Sequence, residues 1–333
     1  MTPARATLAG VSLGDGLPVA VMGALNVSPE SFHAGSVRVT PDELLGTALA
    51  MVEAGAALID VGARSTAPYL PTEISEGEER DRLARAVELL VSNVPVPISA
   101  DTTRPEPARA ALEAGARVIN DVSGLRDPRV AALVAKHHAG VILMAAPGFG
   151  VGGGGPSSTT LGAARRGLVS RASSEQRPEA TGLRGAPASG PDPVATVRAL
   201  LAAALGRARA AGIAEDCVVL DPGIGFFRDE AIPWDEWDAR VLAGLGGLGA
   251  LGRPLCIAVS RKSFIGAITG RTSPGERLAG SLAATAVAVL GGAALVRAHD
   301  VAETVDAVRV AERIRKASRA HAGPYNPYNK DRP

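Results

Sequence analysis

Three polar side chains in this chain of 333 residues could together bind a flat heterocycle. Asp101, Asn120 and Asp221 each follow a short apolar run of the sequence. Carboxylate and amide groups match the ring N–H groups and ring nitrogens of such a ligand. A buried carboxylate costs free energy unless it meets such partners, so these positions call for a ligand or for a structural cap. A single Asp is explained as well by loop capping, but three such side chains at equivalent positions favour a binding site.

A second group of side chains suits phosphate. Arg261 and Lys262 end the apolar run LCIAVSRK, and Arg297 and His299 end the run ALVRAHD. Arginine presents a fork of N–H donors to a phosphate group, and lysine presents a compact positive charge. Since Arg297 and His299 are two residues apart on one predicted strand, their side chains share a face. Asn26 ends the first apolar run and could add a neutral oxygen to a Mg²⁺ ion carried by a diphosphate.

The elements that must position these residues repeat eight times. Eight apolar runs, rich in Val and Ile, are mostly separated by amphipathic segments. Such runs predict strands buried on both faces, and eight strand–helix repeats predict a closed parallel barrel. The predicted fold class is α/β, a single (β/α)8 TIM barrel whose loops after the strands form the active site. Helices are predicted at about 41–54, 75–90, 106–114, 128–137, 193–211, 235–250, 276–291 and 301–317.

One segment interrupts this repeat after the fifth strand. Residues 148–192 are rich in Gly, Ser, Pro and Arg and have almost no apolar periodicity. This composition predicts a disordered insertion in one domain that covers 1–333, with its core at about 18–316. The alternative is a mobile lid whose arginines meet an anionic ligand, namely Arg165, Arg166, Arg171, Arg177 and Arg184. Residues 318–333 are predicted to form a flexible tail.

Composition argues against several other classes of protein. The formal net charge of +1 gives no sign of a nucleic-acid or membrane-surface binder. No apolar stretch has the length of a membrane span, and the N-terminus lacks the apolar core of a secretory signal. Cys217 and Cys256 fall in predicted buried strands and make no disulfide framework. We therefore expect a cytoplasmic protein that acts on small molecules, with no nucleic-acid or membrane partner.

Eight segments of the chain resemble the dihydropteroate synthase family. They are MGALNVSPESF (22–32), DVGARSTAPY (60–69), SADT (99–102), INDVSGL (119–125), LDPGIGF (220–226), SRKSFIG (260–266), ERLAGSLAA (276–284) and RAHDV (297–301). The resemblance covers the predicted core apart from the Gly-rich insertion. Pterin-dependent methyltransferases share the barrel and the pterin-binding Asp and Asn residues, but SRKSFIG and the RAHD ending are not expected in them.

The resemblance implies a transferase of folate biosynthesis. It implies that 4-aminobenzoate is joined to 6-hydroxymethyl-7,8-dihydropterin diphosphate, with release of diphosphate. The family's pterin-binding residues fall on Asp101, Asn120, Met144, Asp221 and Lys262. Its diphosphate-binding residues fall on Asn26, Arg297 and His299, with Mg²⁺ near Asn26, and its arylamine-binding residues fall on Ser65, Thr66 and Ser263. The implied catalytic set is Asp101, Lys262 and Arg297, and the family implies a homodimer formed through outer helices near the C-terminal units.

The chain departs from the family pattern in two loops. Arg64 stands where the family has an acid, and Ala67 stands where it has an arginine. The first loop has Glu30 in place of Asp and carries the atypical pair His33 and Ala34. These changes lie on the acceptor side and resemble divergent archaeal members, so the acceptor is 4-aminobenzoate or a related arylamine. Two alternatives stay open: a non-catalytic pterin-binding paralogue, and a component of a pterin-dependent methyltransferase.

Overall fold

A closed barrel of eight parallel strands lies at the centre of the molecule. The computed structural model describes residues 3–27, 40–64, 74–146, 192–227 and 232–321. A short N-terminal hairpin of β1 (Arg5–Leu8) and β2 (Val11–Gly14) precedes the barrel. The barrel strands are β3 (Ala20–Asn26), β4 (Leu58–Gly62), β5 (Ile98–Asp101), β6 (Val118–Asp121), β7 (Gly140–Met144), β8 (Val218–Asp221), β9 (Leu255–Ala258) and β10 (Ala293–Ala298). Each strand neighbours the next, and β10 pairs with β3 to close the ring, which confirms the predicted fold.

Helices follow the barrel strands in the described parts of the chain. They are α1 (Pro41–Glu53), α2 (Glu76–Asn93), α3 (Pro105–Glu113), α4 (Pro128–Lys136), α5 (Pro193–Ala210), α6 (Trp234–Ala243), α7 (Ser263–Thr269), α8 (Leu278–Leu290) and α9 (Val301–His321). The start of α1 shows why the sequence predicts them well. Oγ1 of Thr40 accepts from the backbone N–H of Glu43 at 3.2 Å, while the Glu43 carboxylate accepts from the Thr40 N–H at 2.8 Å. This reciprocal capping satisfies two donors that a helix start leaves open.

The structure differs locally from the predicted elements. The helix predicted at 235–250 ends at Ala243 and gives way to a 3₁₀ helix at Leu245–Leu251, because the sequence there is rich in glycine. Helix α7 was not predicted. Cys217 ends a 3₁₀ turn, Glu215–Cys217, and is half-buried, whereas Cys256 lies buried in a strand as expected.

Side chains that point into the barrel form an apolar layer at one end. This layer consists of Met22, Leu58, Val118, Ile142, Val219, Cys256 and Leu295. Leu8 and Leu13 of the hairpin pack against it and are fully buried. The hairpin therefore closes the end of the barrel at which the strands begin. The polar positions lie further along the same strands, towards the end at which the strands finish.

Parts of the chain lie outside the described residues. These include almost all of the predicted insertion, most of the predicted tail, and residues 28–39 and 65–73. Helix α9 continues to His321, beyond the predicted end at 317. In the described portion of the chain, no helix combines the length and the apolar character needed to cross a membrane.

Candidate active site

The polar strand ends lie together because parallel strands all finish at the same end of a barrel. The register places Gly62 beside Asp101, and Asp101 beside Asn120. Further round the barrel, Met144 pairs with Asp221. The structure thus brings the sequence-predicted pterin side chains to one mouth.

Arg297 joins two acids across this mouth. Its Nε donates to Oδ2 of Asp60 at 2.6 Å, and its Nη2 donates to Oδ2 of Asp101 at 3.2 Å. Asp60 is fully buried, and Asp101 is 8% exposed. Two further donors reach Asp60: Oγ of Ser99 at 2.6 Å and Nδ2 of Asn120 at 3.1 Å. The network links four strands, β4, β5, β6 and β10.

Asp101 holds an acceptor that the described residues do not use. Its Oδ1 is buried and has no hydrogen-bond partner among them. Burial and the neighbouring negative charge of Asp60 raise the pKa of Asp101 to about 7, and the positive charge of Arg297 offsets part of that rise. An unpartnered buried acceptor costs free energy, so Asp101 is suited to receive an N–H donor from a ligand.

Asp221 and Met144 lie on the opposite arc of the mouth. Oδ1 of Asp221 accepts from the backbone N–H of Gly223 at 2.7 Å, so one oxygen is used as a loop cap. Burial raises the pKa of Asp221, while Lys262 and Arg297 act in the opposite direction. Met144 is buried, and a Cβ on Gly223 would lie 3.3 Å from its Cγ. Met144 therefore packs against the loop that follows Asp221.

Lys262 lies across a loop made of glycine and phenylalanine. Its Nζ is 4.6 Å from the ring centroid of Phe226. Gly225 has φ +88°, and a Cβ there would lie 2.9 Å from Cδ of Lys262. The backbone N–H of Gly225 donates to Oδ1 of Asp238 at 2.8 Å, which fixes the loop from below. The path of the Lys262 stem over this loop therefore requires a residue without a side chain.

Arg261 adopts a left-handed backbone conformation, with φ +57°. Its N–H donates to Oγ of Ser281 at 2.8 Å, and its carbonyl accepts from Nη1 of Arg277 at 3.0 Å. Its guanidinium pairs with Asp300, with Nε 2.9 Å from Oδ2. Such a conformation is costly for a side chain with a Cβ, and these three interactions hold it in place. The charge of Arg261 is thus neutralised within the protein by Asp300. Its backbone conformation determines where the chain continues into Lys262 and Ser263, the two candidate ligand-binding residues that follow.

His299 does not carry the positive charge that its place among the cations suggested. Its Nδ1 lies 3.1 Å from Oγ of Ser260. Burial, together with the positive charges of Arg297 and Arg261, lowers the pKa of His299 to about 4. The imidazole is therefore neutral at pH 7 in the free protein, and it offers a hydrogen bond rather than a charge.

Asn26 could supply a single oxygen ligand to a metal ion. A Cβ on Gly62 would lie 3.4 Å from Oδ1 of Asn26 and 3.6 Å from Cβ of Asp101, so the glycine keeps this oxygen uncovered. Within the described ranges, no group of three or more His, Cys, Asp and Glu side chains could hold a metal ion. Mg²⁺ prefers six oxygen ligands and keeps several waters. The donor set therefore fits an ion that arrives with an anionic ligand rather than one held by the protein alone.

Arg64 belongs to a cluster of polar side chains around the buried carboxylate of Glu79. Its Nε donates to Oε2 of Glu79 at 3.2 Å, and Nη1 of Arg104 donates to the same oxygen at 3.0 Å. Oγ1 of Thr102 donates to the other oxygen of Glu79 at 2.7 Å. Arg104 also donates to the carbonyl of Ile74 at 3.0 Å. The cluster joins Arg64 and Ile74 to the segment that follows Asp101.

Two acids that support the site, Asp60 and Glu79, are not among the functional residues that the sequence predicts. A signal for Asp60 exists, because a carboxylate within the run ALIDVG must find partners if that run is buried. Ser263 begins α7, directly after Lys262. Ser65 and Thr66 lie outside the described residues.

Comparison with known proteins gives one consistent result. The family model described as "Pterin binding enzyme" matches residues 22–299. The dihydropteroate synthase of Mycobacterium leprae is 36% identical over 314 residues, which cover 92% of this chain and 95% of the relative.

Solved structures agree with the family match. A dihydropteroate synthase of Xanthomonas albilineans, solved with 4-aminobenzoic acid, aligns with a TM-score of 0.74 and 35% identity, covering 94% of this chain and 98% of the other. The same enzyme in complex with 7,8-dihydropteroate aligns with a TM-score of 0.70 and 34% identity, covering 93% and 98%.

Proposed function

The chain belongs to the dihydropteroate synthase family of pterin-binding enzymes, and we propose that its barrel mouth binds a pterin diphosphate and transfers the pterin to an arylamine. The protein is a transferase of the dihydropteroate synthase type and acts in folate biosynthesis. Its substrates are 6-hydroxymethyl-7,8-dihydropterin diphosphate and 4-aminobenzoate or a related arylamine. The observation that carries the proposal is the buried Oδ1 of Asp101, which has no partner among the described residues and lies on the carboxylate that pairs with Arg297.

The pterin ring occupies the mouth of the barrel between Asp101 and Asp221. Asp101 accepts a ring N–H group, and Asn120 and Asp221 recognise the remaining donors and acceptors. Lys262 donates to a ring acceptor, and Met144 provides an apolar contact. A ligand that satisfies the Asp101 carboxylate removes the cost of burying it alone.

The reaction exchanges a C–O bond for a C–N bond. The bond between the pterin methylene carbon and the diphosphate breaks, and the electron pair leaves with diphosphate. The negative charge of Asp101 stabilises the positive charge that develops on the pterin methylene. The arylamine nitrogen then attacks this carbon and loses a proton to water. No protein nucleophile takes part.

The diphosphate leaving group is bound by residues at the ends of β10 and β3. Arg297 supplies a charged fork, and His299 supplies a neutral imidazole that donates a hydrogen bond. Asn26 would provide one oxygen ligand to a Mg²⁺ ion, and the ion would supply positive charge to offset the negative charge of the diphosphate. The arylamine is bound by Ser263, Ser65 and Thr66.

A measurement of diphosphate release tests this function. The purified protein is incubated with 6-hydroxymethyl-7,8-dihydropterin diphosphate and Mg²⁺, with and without 4-aminobenzoate. We expect release that depends on 4-aminobenzoate and yields dihydropteroate. Binding of the pterin diphosphate without stimulated release would instead indicate another arylamine or a non-catalytic binder, and a panel of arylamines separates these two.

We also propose that the protein is a cytoplasmic homodimer. Large apolar side chains are exposed on the last helices, namely Val287 and Leu290 on α8, and Val310 and Ile314 on α9. Both cysteines are free, which agrees with a reducing compartment. Sedimentation equilibrium should give twice the chain mass of 33.7 kDa, and Val310→Lys should lower it. A monomeric wild-type protein would rule out the dimer.

A further inference from the structure

Asp60 has no assigned contact with a substrate, yet its carboxylate accepts three hydrogen bonds at the site. Its side chain is 0% exposed and lies within β4, below the strand end. Oδ1 accepts from Ser99, and Oδ2 accepts from both Asn120 and Arg297. Burying a carboxylate costs free energy of folding, which these three hydrogen bonds offset. The question is what the bonded side chains gain from them.

The bond from Arg297 fixes one edge of the guanidinium. Nε points to Asp60 at 2.6 Å, and Nη2 reaches Asp101 at 3.2 Å. A guanidinium is planar and has five N–H donors in a fixed fork. Once Nε is held by Asp60, the plane can no longer turn freely, and the terminal nitrogens face the side where Asp101 lies.

The bond from Asn120 fixes an amide. A primary amide can turn over and exchange its donor for its acceptor at small cost. A carboxylate only accepts hydrogen bonds, so Nδ2 of Asn120 must face Asp60. Oδ1 of Asn120 is then directed away from Asp60 and presents an acceptor with a defined position. Oδ2 of Asp60 thus orients two side chains at once: Asn120, proposed to bind the pterin, and Arg297, proposed to bind the diphosphate.

We propose that Asp60 is a positioning residue that orients Asn120 and Arg297 together through Oδ2, and so links pterin recognition to diphosphate binding. The inference rests on the proposed function, because it assumes that those two residues bind the two parts of one substrate. It requires that Asp60 act through the two side chains and not by contact with the ligand.

Asp60→Asn tests this, since it keeps the shape of the side chain and places an amide against two donors. The probes are 6-hydroxymethyl-7,8-dihydropterin and its diphosphate, with dissociation constants from isothermal titration. We expect about 10-fold weaker binding of the unphosphorylated pterin through Asn120, and about 100-fold weaker binding of the diphosphate through both partners.

Ser99→Ala is the matched control, because it removes a bond to Oδ1 and leaves both bonds to Oδ2. It should unfold more easily but bind both ligands within about 2-fold of wild type.

A double-mutant cycle separates positioning from general damage. In an Arg297→Ala background, Asp60→Asn should weaken both ligands by the same factor, since the diphosphate part of its effect is already lost. If Asp60→Asn instead weakens both ligands equally in the wild-type background, or neither, the proposed link is wrong. Failure of the wild type to bind the pterin diphosphate would overturn the proposed function itself, whereas normal binding by both wild type and Asp60→Asn overturns only this inference.

A measurement on the unmodified protein covers the case in which Asp60→Asn does not fold. The Nε–H signal of Arg297 is identified in ¹⁵N spectra by its loss in Arg297→Ala. It should exchange slowly with solvent, both in the free protein and with the pterin diphosphate bound. Exchange as fast as that of an exposed arginine in either state would overturn the inference.

Discussion

At the scale of single residues, the site consists of acids that are expensive to bury. Asp60 and Asp101 share the charge of Arg297, and Oδ1 of Asp101 has no partner in the described part of the chain. Such an arrangement sacrifices stability for a pre-formed place to bind an N–H donor. The cost is measurable, because it depends on the charge of Asp101.

The pKa of Asp101 determines how the free energy of unfolding changes with pH. Its folded-state pKa is raised to about 7 from 3.8, so between these values the folded protein holds a proton that the unfolded chain lacks. The free energy of unfolding therefore falls as pH rises through this range. Asp101→Asn removes the effect and should be more stable than wild type at pH 8, on the order of 4 kcal/mol, with little gain at pH 4. Urea unfolding at the two pH values measures this.

The same substitution should greatly reduce turnover, because the developing positive charge loses its counter-charge. A variant that is more stable at pH 8 and nearly inactive fits a functional acid. Equal gains at both pH values would mean that burial alone, and not the carboxylate charge, is relieved. An unchanged rate would remove Asp101 from the mechanism.

At the scale of elements, the loop after β8 directs Lys262. Gly225 has φ +88° and lies under the lysine stem, where a Cβ would come within 2.9 Å of Cδ. Gly252 also has a positive φ, +67°, but nothing lies within 4 Å of its Cβ position. The two glycines thus share backbone strain and differ in contact.

Gly225→Ala should weaken pterin binding by about 10-fold, because it displaces Lys262 from its position over the loop. Gly252→Ala should cost a similar backbone strain of about 1 kcal/mol and leave binding unchanged. Titration with the pterin and thermal unfolding of both variants make the comparison. If both weaken binding equally, strain spread through the barrel is responsible, and not the position of Lys262.

The elements also show what the sequence can and cannot predict. Val-rich and Ile-rich runs gave the strands, and capping residues such as Thr40 gave the helix starts, because both depend on neighbouring residues. The partners of Asp60 could not be predicted in this way. Arg297 is 237 residues away and meets Asp60 only when the barrel closes. The hairpin was missed because its strands have four residues each, although Ala9 and Gly10, both with positive φ, form a turn typical of hairpins.

At the scale of the whole molecule, the barrel separates stability from chemistry. The apolar layer and the hairpin fill the end at which the strands begin, and the acids and cations lie at the end at which they finish. In barrels of this kind the second end carries catalysis, and residues at the first end serve stability. The two roles should therefore respond to different substitutions.

Leu8→Ala tests that separation. Leu8 is fully buried, and its Cδ2 lies 2.7 Å from the position that a Cβ of Gly140 would take. Removal of a buried leucine side chain from so close a packing should lower the free energy of unfolding by about 2–5 kcal/mol. Val11→Ala, in the same hairpin but only partly buried, should cost less. Both variants should bind the pterin diphosphate with wild-type affinity below their unfolding transitions. A loss of affinity in Leu8→Ala that exceeds its unfolded fraction would mean that packing at the base of the barrel shapes the mouth, so that stability and chemistry are coupled along the strands.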